Sequence, residues 1–195
     1  MKETEITVEV LDSLENLQSL LSHKGFVLDE EVVMIDHYFS KYEMEELKKM
    51  SYKDLINKSF LVRQLRSDET KSMIIFKSKD YDENGNVIAE EKVSSKVEDF
   101  EKMLKIFALS KINCWCEIKQ DMFIYHKGKV QFAVQVVDGL GVFIEYEETD
   151  DIKDLSEQEK IDSMLGDLRE IGIKMGNDFS CKKVFMKFKN DNNLQ

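Results

Sequence analysis

The chain has 195 residues, 42% of them hydrophobic, enough to build a core at that length. Its 28 Lys and Arg stand against 39 Asp and Glu, a formal net charge of −11, which disfavours nucleic acid or another polyanion as a general partner. No apolar run is long enough to span a bilayer and no charged-then-apolar leader opens the chain, so a cytoplasmic protein is expected.

Taken in order, ETEITVEV alternates, with Ile6, Val8 and Val10 on one face and Glu3, Glu5, Thr7 and Glu9 on the other. Asp12 or Ser13 then offers an N-cap for a helix carrying Leu14, Leu17, Leu20 and Leu21, stopped at Gly25. Alternation resumes from Phe26 to Phe39 and ends in IDHYF, and the charged stretch 41–58 is expected to be a helical insertion. FLVRQLR and SMIIFKSK form a β-hairpin pattern around Ser67 to Lys71.

Asp80 to Glu91 places Asp80, Asp82, Asn84, Gly85, Val87 and Glu91 at the spacing of a calcium loop. Its flanks are strand-like where a calcium loop needs helices, and Asn84-Gly85 is a strong hairpin signal, so the turn is preferred to the ion site. Val97, Phe100, Met103, Leu104 and Phe107 predict a helix over 97–109 capped by Ser94 or Ser95, with this stripe facing the core.

INCWCEIKQDMFIYH and KVQFAVQVV then meet at a turn containing Gly128, and VFIEYEE follows the Gly-Leu-Gly turn. In that last strand Val142, Ile144 and Tyr146 oppose Phe143, Glu145 and Glu147. Cys114 and Cys116, two apart, are expected on one face, where a mutual disulfide would be strained, so reduced packing thiols are expected. A helix with Ile161, Met164, Leu165, Leu168 and Ile171 facing inward precedes the terminal KKVFMKF.

The sum is an α+β chain of about eight strands, mostly hairpin-linked. Arg63, Lys77 and Lys119 fall on three of the strands, and with the glutamates they would line one sheet surface. A half-exposed sheet has such a solvated face; a barrel with a polar interior would instead bring acidic pairs to a divalent cation and basic groups to a polyphosphate.

These stretches resemble the CYTH superfamily of triphosphate tunnel metalloenzymes, which includes class IV adenylyl cyclases, thiamine triphosphatases and inorganic tripolyphosphatases. Glu3-Thr4-Glu5-Ile6-Thr7 is similar to the Glu-x-Glu-x-Lys signature, FLVRQL to the Leu-Arg-x-Arg strand, MIIFK to the Leu-Thr-x-Lys strand and EIKQD to Lys-x-Arg. VQVVDGLGVFIEYE resembles the Asp-x-Val-x-x-Leu-Gly-x-Phe-x-Glu-x-Glu run, the most specific of the set.

The resemblance implies an eight-stranded antiparallel β tunnel or barrel with a polar lumen, flanked by helices, spanning residues 1–189 as a single domain before a polar tail at 190–195. It implies Glu3, Glu5, Glu145 and Glu147 as ligands of Mg or Mn, and Arg63, Lys77 and Lys119 as groups binding a (poly)phosphate or nucleoside triphosphate. Thr7, Leu61, Asp121 and Gln135 depart from the pattern, replacing a lysine, two arginines and an aspartate. The activity implied is metal-dependent triphosphatase or adenylyl cyclase chemistry; the alternative is an impaired module that binds or senses a phosphorylated ligand.

Overall fold

The structure is a computed structural model that describes residues 4–194. Its elements, in chain order, are β1 (Glu5–Glu9), α1 (Leu14–His23), β2 (Val27–Ser40), α2 (Met44–Leu47), α3 (Tyr52–Asn57), β3 (Phe60–Arg66) and β4 (Thr70–Tyr81). There follow β5 (Val87–Val97), α4 (Phe100–Leu109), β6 (Asn113–Lys127), β7 (Val130–Val137), β8 (Gly141–Glu147), α5 (Glu157–Ile171) and α6 (Lys183–Asp191). The eight strands among the described residues belong to one sheet, in the order β1-β8-β7-β6-β2-β3-β4-β5, giving the expected α+β class.

The chain divides into two compact units, residues 1–32, 80–90 and 120–181 in the first and 33–79, 91–119 and 182–195 in the second. In the first unit, β1 pairs antiparallel with β8 and β8 with β7, so Ile6 lies opposite Tyr146, Val8 opposite Ile144 and Val134 opposite Ile144. These residues pack with Leu17 and Leu21 of α1 and Ile161, Met164 and Leu168 of α5 in one buried cluster. The helices exist because their apolar residues recur every three or four positions, and each begins on a serine cap, Ser13 for α1 and Ser156 for α5. Gly172 ends α5 in the left-handed region at φ 93°, where a side chain would be strained.

The outer edge of β1 is covered by the segment after α5. Thr7 N donates to Phe179 O and Cys181 N to Thr7 O, at 2.8 and 2.9 Å, while Gly176 N donates to Glu9 O at 2.9 Å. Val87 N at the start of β5 donates to Ser180 Oγ at 2.8 Å. One strap thus satisfies the groups that an open strand edge would leave unpaired and ties β1, at one end of the strand order, to β5 at the other.

In the second unit β3 lies between β2 and β4, with Arg63 opposite both Asp36 and Met73. Phe39 and Phe60 meet Phe107 of α4 at 5.0 and 5.1 Å between ring centroids. Trp115 packs edge-on against Phe188 of α6 and donates from Nε1 to Ser59 Oγ at 3.0 Å. KKVFMKF is therefore helical, its Val184 and Phe188 buried one turn apart.

The structure corrects one expectation. The helix predicted over 97–109 begins only at Phe100 with Asp99 as its cap, because KVSSKV continues β5. The expected stripe does face inward: Phe100, Met103, Leu104 and Phe107 are its half-buried positions, with Phe100 against His37 and Phe107 against Phe39 and Phe60, while Ile106 and Leu109 on the other side stay exposed. Both Cys114 and Cys116 lie in β6, Cys114 exposed and Cys116 buried with its thiol pushed up to about 12 by burial. All three cysteines are free, as expected.

Candidate functional site

In the first unit, strand alternation sends Glu5, Thr7 and Glu9 to the face opposite the α1 and α5 core, and the register sets Glu5 against Glu147 and Thr7 against Glu145. Cross-strand partners lie on one face, about 5 Å apart at Cβ. Glu5, Glu145 and Glu147 accordingly bring ligand oxygens within 4.8 Å of one another. Glu5 and Glu145 are half-buried and Glu147 is exposed. Glu3 lies outside the described residues.

Next to this cluster, Glu148 turns to the helix side. Its Oε2 accepts from Lys160 Nζ at 2.8 Å and from Thr4 N at 2.9 Å. Burial alone would push its carboxyl up, but the hydrogen bonds from Lys160 and Thr4 hold it below the ordinary range. The end of β8 thus carries successive carboxylates with separate duties, Glu147 in the acidic group and Glu148 in an ion pair that docks α5.

The same register places the positions that depart from the family pattern. Gln135 pairs with Phe143 and Met122, and Ala133 with Glu145, so Gln135 shares the carboxylate face and is fully buried there. Thr7 is buried opposite Glu145. Asp121 pairs with Val136, one residue out of phase with Gln135, and therefore lies on the other side of the sheet.

In the second unit Arg63 donates from Nε to Asp36 Oδ1 and from Nη2 to Asp36 Oδ2, both at 2.7 Å. This is a two-point clamp between planar groups. Met73 and Ile75 of β4 pair with Arg63 and Leu61, so Lys77, two residues further on, continues the same face. Leu61 is a core residue, 2% exposed and paired with Tyr38 and Ile75. Arg66 is exposed and donates to Gln64 Oε1.

Lys119 does not join this face. Tyr38 contacts Trp115 whereas His37, which points the opposite way, contacts Glu117 at 3.1 Å. Further along β6, Gln120 and Met122 pair with Val137 and Gln135, so Lys119 falls with Asp121 on the side away from the carboxylates. Lys119 follows Glu117 and is exposed on the His37 side, away from Arg63 and Asp36. Asp36 itself was not singled out in the sequence; the available signal was an acid and an arginine on adjacent strands, but only the register makes them partners.

The calcium-like segment is a hairpin turn between β4 and β5. Asp82 Oδ1 accepts from Asn84 N and Asn86 N at 2.9 and 2.8 Å, and Gly85 sits at φ 79°. The Asn86 side chain and these amides hold the Asp82 carboxyl below its ordinary range, binding its oxygens into the turn.

The chain matches no family model. It is 24% identical over 178 residues to a Methanocaldococcus jannaschii protein named "putative adenylate cyclase", covering 91% of this chain and 93% of that one. Among solved structures, a Hippeastrum protein described as a "putative adenylyl cyclase" that reveals a dominant triphosphatase activity superposes with a TM-score of 0.62 at 14% identity, covering 97% of this chain and 96% of that one. A Vibrio parahaemolyticus protein, also named a "putative adenylate cyclase", gives 0.64 at 12% identity over 94% and 97%. A Pyrococcus horikoshii protein gives 0.68 at 14% identity over 97% and 99%. These structures share the fold of this chain. Among the described residues no helix is long and apolar enough to cross a membrane.

Proposed function

We propose that the chain processes a triphosphate-containing substrate with a divalent cation, as a triphosphatase or an adenylyl cyclase. The observation that carries this reading is the convergence of Glu5, Glu145 and Glu147 from β1 and β8 on one face. Three carboxylates offer hard oxygen donors, and such a set fits Mg or Mn better than a softer ion. Bound there, the cation would polarise phosphoryl oxygens as a Lewis acid.

The chain's own residues supply the rest. Glu5, Glu145 and Glu147 would hold the ion and orient it, with Glu147 at the exposed end of the group. Arg63 and Lys77 would take the phosphate oxygens, since cations lower the cost of charge gathering on a transferring phosphoryl group. Lys119, which the resemblance groups with them, is left out of this set because it lies on the other face. Attack by water would make the chain a triphosphatase; attack on the α-phosphate by the substrate's own 3′-hydroxyl would make it a cyclase. The names of the Hippeastrum and Methanocaldococcus relatives support both chemistries.

A second reading is a phosphate-binding module with impaired catalysis. Leu61 in the core and Thr7 opposite Glu145 favour it, because each stands where the family pattern has a cation. One phosphate-clamping cation can be worth roughly 10³-fold in rate. The deciding assay uses purified protein with tripolyphosphate, thiamine triphosphate and ATP, each with magnesium or manganese. Orthophosphate release marks the hydrolase and cyclic AMP the cyclase. No turnover together with ligand-induced thermal stabilisation marks the binding module, and neither turnover nor stabilisation removes the triphosphate reading altogether.

A further inference from the structure

We infer that Asp36 is a positioning residue that sets the orientation of Arg63 for phosphate binding; this rests on the reading of Arg63 given under Proposed function. Asp36 is 3% exposed and the Arg63 side chain 15%, so the pair is largely withdrawn from water. Two 2.7 Å hydrogen bonds fix the guanidinium in the plane of the carboxylate. Around it the same face carries Met34, Leu61 and Ile75, all buried apolar residues.

Stability alone does not call for an ion pair in such surroundings. A buried pair loses so much hydration that apolar residues of similar volume hold a core as well or better. What the pair does provide is direction. An arginine side chain has four rotatable bonds, and a fork held at two points surrenders that freedom before a ligand arrives. Nε and Nη2 face Asp36, which turns the Nη1 edge of the guanidinium away from the carboxylate. Lys77 continues that face on β4, so a polyphosphate would meet an arginine of fixed aim beside a lysine of flexible reach.

The inference separates itself from plain electrostatics by sign. Removing a carboxylate next to a cationic anion site should strengthen anion binding if only charge matters. If Asp36 aims Arg63, its removal should weaken binding despite the gain in net positive charge. The probe is inorganic tripolyphosphate with magnesium, titrated calorimetrically into the full chain at constant salt. Asp36→Asn is expected to weaken binding roughly tenfold, the scale of one charge-assisted hydrogen bond. In an Arg63→Ala background the same substitution should change nothing further.

Arg63→Lys covers the case in which Asp36→Asn does not fold. Lysine keeps the charge but cannot accept the two-point clamp, so it should weaken binding to a similar extent. Tripolyphosphate binding as tight as, or tighter than, wild type in Asp36→Asn or Arg63→Lys overturns the inference, provided Arg63→Ala weakens it. Unchanged binding in Arg63→Ala, or no binding by the wild type, overturns the premise about Arg63 and the inference with it.

Discussion

The carboxylate face of the first unit and the Arg63 face of the second handle charge in opposite ways. On β1 and β8, three like charges are drawn within 4.8 Å of one another. On β2 and β3, a single positive charge is answered by one negative charge through two hydrogen bonds. Gathering like charges costs free energy that a bound cation would recover, whereas a matched pair is already satisfied within the fold. Under the proposed function a cation would occupy the acidic face, whereas the Arg63 guanidinium is already held by Asp36.

Breaking that contrast most strongly should be Arg63→Ala, with turnover of the best triphosphate substrate expected to fall by roughly 10³-fold, read from initial rates at saturating substrate. Next, Glu145→Gln with Glu147→Gln should abolish the rise in melting temperature produced by magnesium or manganese while leaving the metal-free melting temperature within a few degrees; a preserved metal-induced shift would remove the metal assignment.

A third test concerns the ion pair beside the acidic face. Lys160 and Glu148 side chains are only 10% and 13% exposed, so Lys160→Met should cost about 3 kcal/mol in urea unfolding at neutral pH by stranding a buried carboxylate. In the wild type, Glu148 has a folded pKa below its ordinary value of 4.5. Its stabilising contribution is therefore complete above pH 4.5 and is lost as the pH falls below that value, while Lys160→Met should lack this acid-sensitive component. The smallest effect is expected from Lys119→Ala, whose exposed side chain lies off the Arg63 face. It should alter tripolyphosphate affinity by less than about twofold, as is usual for an exposed charge away from a site; a loss as large as that of Lys77→Ala would return Lys119 to the phosphate set.

Much of the fold was legible because its signals are local. The two-residue alternation of ETEITVEV and VFIEYEE identified which side chains oppose which, and the leucines after Ser13 marked α1 together with its start. The start of α4 was misread because Ser94, Ser95 and Asp99 are all competent caps, and only the continuation of β5 excludes the first two. In the candidate site, Glu5, Glu145 and Glu147 were legible for the same local reason. Asp36 was not, because nothing within the strand IDHYF says that its aspartate faces an arginine 27 residues later.

The sequence by itself determined the strand faces at both ends of the chain, the hairpin at Asn84-Gly85 and the pairing of acidic positions with apolar ones, since each depends on neighbours one to four residues away. Tertiary structure decided what those faces meet. Register brought Glu5 to Glu147 and Asp36 to Arg63, and the meeting of Glu117 with His37 set Lys119 on the other side. Register belongs to two strands together, and no local pattern within one of them records which residue of a distant strand it will face.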